Sequence, residues 1–357
     1  MNLLRILLIL LALGQATPAA AQEIIGLDFY LGDIYSIDPK TGQVRLVGST
    51  GLNQHLWHSM AKDSQGRIVA GYWDPNATMS GTGLYEINIA TAQANLLLQV
   101  SQLNIVGLAF GPGDILYALH SPATTGSPPY ELYSIDLVSG AVTLIGSTGQ
   151  SGIQGLAYGQ GALWGWQIFP GLGLIRIDPI TAQVTDVNPA VGAWYWDLAQ
   201  TLFFSDNGVL YGGFGSLFVI DTVTGVPTYV GYMQGAGFIA GMEFAPNQPP
   251  PLALGVMGVS GGMMGAFAAG ATPSGDVAFF RAQGGGGPTP IPGGHPCAGF
   301  ALDLNAGVSF ISLARADAQG RAVIGPQFVP PQLPREVRLQ ALDLTTCRST
   351  NVGRIGF

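Results

Sequence analysis

Between Ile34 and Gly231 one phrase recurs five times: a short β-rich run ending in Ile-Asp or Ile-Asn, a turn, and a second β-rich run. The copies are Ile34–Asp38, Leu84–Asn88, Leu132–Asp136, Leu174–Asp178 and Leu217–Asp221. Their acid or amide residues lie 50, 48, 42 and 43 positions apart, the length of one propeller blade and not of a helical repeat.

Each copy expands to four strands. Candidates for the innermost strand are Leu56–Ala61, Ile105–Phe110, Ile153–Tyr158, Tyr195–Gln200 and Ile239–Phe244. All place a small or short polar residue two positions before an Ala or Glu, with Leu or Met between. Alternation sends the small residues to one face, as crowding near a propeller axis requires. Second strands follow at Arg67–Gly71, Ile115–Leu119, Ala162–Trp166 and Val209–Gly213. Outer strands follow at Val44–Gly48, Asn95–Gln99, Val142–Gly146, Val184–Val187 and Thr228–Gly231. Ile24–Phe29 reads as a second strand without its first, and Ile239–Phe244 is the orphan first strand. The pattern predicts an all-β, five-bladed β-propeller over residues 22–247, in which the N-terminal strands complete the blade begun by the C-terminal one and leave no free radial edge.

The first residues carry one positive charge at Arg5, an apolar run to Leu13 and an Ala-x-Ala exit before Gln22. This predicts a secretory signal peptide over 1–21, cleaved near Ala21, because the run is too short to span a bilayer. No later stretch approaches ~20 uninterrupted apolar residues, so no transmembrane segment is expected, and the mature chain should be secreted, periplasmic or at the cell surface. The formal charge of −8 becomes −9 when Arg5 leaves with the signal. With Lys40 and Lys62 as the only lysines, nucleic acid and anionic membrane are poor partners, since both need clustered basic residues.

Asn247–Pro251 breaks the composition, because consecutive prolines fix φ and donate no backbone hydrogen bonds. A Pro-rich linker is expected over 248–252, and the repeat phrase does not reappear beyond it. Short unrepeated strands separated by Gly, Pro, Asp and Asn then predict an antiparallel β-sandwich over 253–357. The two cysteines, Cys297 and Cys347, both fall there and most simply pair in an exported chain. Readings as metal ligands or a catalytic thiol find no supporting spacing with the distant His295, and no metal site is expected.

Ala316–Ala322, Leu339–Asp343 and Cys347–Val352 resemble the C-terminal β-module appended to many exported bacterial proteins. The Ile-Asp-Pro-x-Thr-Gly phrase at Ile37–Gly42 resembles secreted bacterial propellers of the quinoprotein-like or NHL-like kind. Together the resemblances span nearly all of the mature chain and imply fold; they carry over no catalytic signature and no cofactor.

The repeated Asp38, Asp136, Asp178 and Asp221 suggest metal or acid–base chemistry at first sight. Each is followed by a turn with Thr or Ser, and Asn88 stands in the same place without charge, so an acceptor oxygen for turn N–H groups explains them. His55, His58 and Asp197 fall at or beside aligned inner strands, where an axial funnel would be lined. Asp197 and Ser59 are read as polar replacements for Gly107, Gly155 and Gly241. Asp197, His58 and Glu243 are the catalytic candidates, Asp197 with Glu243 as a carboxylate pair for glycoside hydrolysis, which needs separations of about 5 to 10 Å. Trp57, Trp194 and Trp196, with His55 and Ser59, are candidate ligand contacts, because aromatic faces bind sugar rings; the competing reading is that most tryptophans fill gaps between blades.

With no nucleophile elbow, phosphate loop or zinc-protease motif, the leading expectation is a non-enzymatic binding or surface protein that takes a glycan or protein on one propeller face. The alternatives are a carbohydrate hydrolase or lyase acting through Asp197 and His58, and a purely structural envelope protein.

Overall fold

The computed structural model describes residues 23–52, 56–74, 81–101, 103–122, 129–168, 171–191, 201–246, 252–260, 263–283, 288–305, 307–328 and 336–356. Within them the protein is all-β apart from one short 3-10 turn at Pro112–Asp114. Five of its sheets are four-stranded and antiparallel. From the innermost strand outward, the first runs Ile239–Phe244, Ile24–Asp28, Asp33–Ile37, Val44–Ser49; the second, Leu56–Lys62, Ile68–Asp74, Gly81–Ile87, Ala94–Ser101. The third is Ile105–Phe110, Leu116–His120, Glu131–Ile135, Val142–Ser147, and the fourth Ile153–Gly159, Ala162–Gln167, Gly173–Ile177, Val184–Asp186. The fifth is Thr201–Phe204, Leu210–Gly213, Ser216–Ile220, Pro227–Tyr232. Ile24 pairs with Phe244, so one sheet joins both ends of the region. Successive innermost strands lie side by side, the fifth returning to the first. This is the arrangement of a β-propeller.

The axis is built from one position per sheet: Gly241, Ser59, Gly107, Gly155 and Thr201, in ring order. A Cβ on Gly241 would stand 2.8 Å from the Met60 nitrogen, and one on Gly155 2.8 Å from the Leu202 nitrogen, so neighbouring backbones meet there directly. At Gly107 the same atom would come within 2.9 Å of the Leu156 Cβ. Ser59 and Thr201 use a hydroxyl instead. The Leu108 N–H donates to Ser59 Oγ at 2.7 Å, and the Met242 N–H donates to Thr201 Oγ1 at 3.1 Å. Every junction is thus either a close glycine contact or a hydroxyl bridge.

That cycle corrects one alignment. Asp197-Leu-Ala imitates the Gly-Leu-Ala of other copies, yet Thr201 holds the axial position, because Thr201–Phe204 is the run that pairs with Leu210–Gly213 across the tight Ser205–Val209 turn. Residues 195–200, expected as that strand, lie outside the described residues.

The repeated acid or amide works as a turn acceptor. Asp38 Oδ1 accepts the Lys40 N–H at 2.7 Å, Asn88 Oδ1 those of Ala90 and Thr91, and Asp178 Oδ1 those of Ile180 and Thr181. Asp136 and Asp221 accept from the backbone of Val138 and Val223, and also from the Ser139 and Thr224 hydroxyls. The turn ends in the left-handed region, taken by Ala92 (φ 61°) and Ala182 (φ 62°) in two copies. Those methyls abut Gly48 and Gly146 on the outer strand of the preceding sheet, so the turn also serves packing between sheets.

Beyond residue 252 the strands Ala253–Ser260, Met263–Ala269 and Ala322–Phe328 form a three-stranded sheet. Ser309–Arg315, Asp276–Gln283, Glu336–Asp343, Arg348–Ser349 and Gly353–Gly356 form another. Leu254, Ala266 and Ile324 of the first share a buried cluster with Val277, Phe279, Leu339 and Ala341 of the second. Cys297 and Cys347 are joined, with Cα atoms 5.4 Å apart. This module packs on the fifth four-stranded sheet: Ala253 and Phe267 join its core, the Val256 N–H donates to Thr228 Oγ1 at 2.7 Å, and Arg321 Nη2 reaches the buried Asp221 at 3.3 Å. Among the described residues no helix is long and apolar enough to cross a membrane.

Candidate functional site

Two positions after the axial residue, the inner strands carry Ala61, Ala109, Ala157, Phe203 and Glu243; three positions after, they carry Lys62, Phe110, Tyr158, Phe204 and Phe244. Glu243 thus breaks a small or apolar series, and Lys62 an aromatic one, on adjacent sheets. The strand ends and following turns enclose a cavity of about 370 Å³ on the axis, lined among others by Lys62, Asp114, Tyr158, Phe204, Asp206 and Glu243.

Local structure fixes each wall. Asp63 Oδ1 accepts the N–H groups of Gln65 and Arg67, and its Oδ2 pairs with Arg67 Nε at 2.9 Å, closing the turn after Lys62. Asp114 accepts from Ser64 through both backbone (2.9 Å) and hydroxyl (2.7 Å), which ties the second sheet's turn to the third's and holds the Asp114 carboxyl below its usual range. Tyr158 stacks on Tyr117 with ring centroids 6.2 Å apart, and Phe204 stands edge-on to Trp164 at 6.1 Å. Lys62 Nζ meets Asp206 Oδ1 at 3.2 Å, linking the second sheet to the fifth.

Glu243 lies on the first sheet, between these two partners, and keeps only partial contact with solvent. Burial pushes its carboxyl up to about 8; the Lys62 charge and the N–H groups of Lys62 and Phe244 draw it back, and Asp206 raises it. At neutral pH Glu243 therefore carries a proton and can donate one hydrogen bond while accepting others. The cavity offers this neutral acid, an ammonium–carboxylate pair and aromatic faces. Among the described residues no group of three or more His, Cys, Asp or Glu side chains could hold a metal.

Of the other sequence candidates, the described ones, His58, Ser59 and Trp57, do not join Glu243. His58 lies near the start of the strand that Lys62 ends, packed edge-on to Phe29 at 5.4 Å and to Trp73 at 6.3 Å. Burial lowers its imidazole to about 4, and its Nε2 is buried without a hydrogen-bond partner. Ser59 is 4% exposed and spends its hydroxyl on the ring junction. Trp57, expected to face a ligand, is instead 0% exposed: its ring lies 4.9 Å from Tyr72, and its Nε1 donates to the Leu52 carbonyl. His55, Trp194, Trp196 and Asp197 lie outside the described residues. Lys62, Tyr158 and Asp206 were missed, although Lys62 was visible as the charged member of an otherwise aromatic column.

No family model matches the chain, and no curated protein matches it. Among solved structures the fold is similar to a gluconolactonase from Xanthomonas campestris, with TM-score 0.41, 13% identity, and coverage of 70% of this chain and 83% of that one. It is also similar to TolB from Acinetobacter baumannii, with TM-score 0.39, 16% identity and coverage of 69% and 60%. A regucalcin from Agrobacterium tumefaciens gives TM-score 0.37 and 14% identity over 62% and 77%.

Proposed function

We propose that this is an exported five-bladed propeller that binds a small neutral glycan in the axial cavity. In this reading residues 1–21 are a signal peptide, 22–247 the propeller, 248–252 a linker, and 253–357 a β-sandwich that serves as spacer or attachment module. The observation that carries the binding site is Glu243, held protonated between Lys62 and Asp206 beside Tyr158 and Phe204. A sugar presents hydroxyls that both donate and accept, together with apolar ring faces; a neutral acid, an ion pair and aromatic walls match that chemistry. The volume falls within the usual range for small-ligand sites.

The test is a glycan-array screen followed by calorimetry of the best ligand across pH. Affinity should fall as pH rises through about 8, where Glu243 ionises, and Glu243→Gln should flatten that profile. Tyr158→Ala should weaken binding at all pH values. No glycan bound, or binding indifferent to Tyr158→Ala and Glu243→Ala together, would count against the site.

A hydrolase is the second reading, favoured by the same protonated Glu243 with Asp206 close enough to raise it. Glu243 would give its proton to the glycosidic oxygen as the C–O bond breaks and that oxygen keeps the electron pair. Asp206 would take a proton from the water that attacks the anomeric carbon. Turnover retained in Asp206→Asn would remove this assignment.

A further inference from the structure

Over residues 277–280 the strand Asp276–Gln283 is apolar on both faces. Val277 and Phe279 enter the core shared with the three-stranded sheet, so alternation turns Ala278, Phe280 and Ala282 the other way. On that outer face the register sets Phe310 beside Phe280, and both Leu313 and Leu342 beside Ala278. The disulfide-anchored segment through Ile291 and Cys297 covers this face incompletely, leaving a cavity of about 540 Å³. Pro290, Pro292 and Pro296 stand in its wall, so fixed φ angles and the cross-link to Cys347 oppose collapse onto the sheet. An apolar void costs stability, and here the covalent frame keeps it open. Among the described residues His295 is the single titratable side chain in the lining. At the mouth, Phe310 and Leu313 are 60% and 50% exposed, so the apolar surface continues outward to water.

We propose that this cavity is a second binding site, for an uncharged, elongated aliphatic molecule such as a long-chain alcohol or the chain of an ester. The size lies in the small-ligand range, the lining is aliphatic and aromatic, and among the described residues it holds no Lys or Arg to receive a carboxylate or phosphate head. The open apolar mouth lets one end of the chain reach solvent. This site is independent of the axial cavity.

The test uses the full mature protein, an uncharged solvatochromic dye, and dodecanol as competitor. Saturable binding at one site per chain is expected, displaced by dodecanol. Phe310→Glu combined with Leu313→Glu should weaken dodecanol binding roughly tenfold or more, since both apolar contacts are lost. Val308→Trp, which fills the cavity, should abolish binding with the circular dichroism spectrum unchanged. Val323→Glu, exposed on the other sheet and outside the lining, should leave binding intact, as should Tyr158→Ala in the axial cavity. Displacement unaffected by either the rim pair or Val308→Trp would overturn the proposal. So would dye binding that appears only with dimers the rim pair dissociates, because the surface would then be a self-association face.

Discussion

In the ring, each sheet has a sheet on either side, and side chains such as Met60, Leu108 and Met242 are almost wholly enclosed by their neighbours. In the appended module, residues 277–280 of the strand Asp276–Gln283 are also apolar on both faces, but another sheet meets only one of them; a cross-linked loop shields the other. The comparison separates two ways of burying a two-faced sheet. A closed repeat covers every face by symmetry, so its junctions need only small residues and hydroxyls. A lone pair of sheets leaves an outer face whose cover must come from irregular chain, and that cover needs a covalent tie. The ring accordingly keeps its cavity at the axis with polar groups in it, whereas the module's cavity lies under its loop and is apolar.

The largest expected effect breaks the module without the ring. Cys297→Ser with Cys347→Ser opens a closed loop of 50 residues and should remove up to about 4 kcal/mol by the chain-entropy estimate. Hydrogen exchange should show protection lost in Asp276–Gln283 while Ile24–Asp28 remains protected; uniform loss would mean that the two regions unfold as one. Next, Gly241→Ala drives a methyl into the backbone of the second sheet and should cost about 3 kcal/mol in urea unfolding, against little for Gly293→Ala, whose surroundings are open. Equal effects would show that the axis is looser than its spacing implies. Smaller still, Ser59→Ala leaves the buried Leu108 N–H without its acceptor and should cost about 1–3 kcal/mol, and Thr201→Val should do the same to Met242. If Ser59→Gly recovers the loss, the two kinds of junction are interchangeable.

A different kind of effect is a slope with pH. The Glu243 carboxyl is raised from 4.5 to about 8 on folding, so between those values the folded state holds a proton that the unfolded state has released. Stability from this group is present at acid pH and falls as pH rises across that window. Glu243→Gln should remove that fall in thermal midpoints measured over the same range. His58 acts in the opposite sense: lowered from 6.5 to about 4, it withdraws stability as pH drops through that interval, which a measurement confined to pH above 6.5 avoids.

Most of the ring was legible because its rules are local. An Asp or Asn followed two or three residues later by N–H groups it can reach makes its turn wherever it sits, and the missing first strand before Ile24 pointed to Ile239–Phe244 as its mate. Asp197 misled because a Leu-Ala sequel looks alike in any register; only the pairing of Thr201 with Gly213 and the hydroxyl's reach to Met242 identify the axial residue. Glu243 stands out in its column, whereas Asp206 escapes the alignment because it comes from a turn after the strand and outside the aligned positions; Asp197, the other carboxylate the sequence offers, lies outside the described residues.

The sequence by itself determined the repeat, its turns, the β content and the pair of cysteines, because hydrogen bonds within a turn and alternation along a strand act over a few residues. Only the tertiary structure decided which charges meet. Lys62, Asp206 and Glu243 belong to three different sheets and come together only when the ring closes, and the proton on Glu243 follows from burial that no stretch of chain supplies alone.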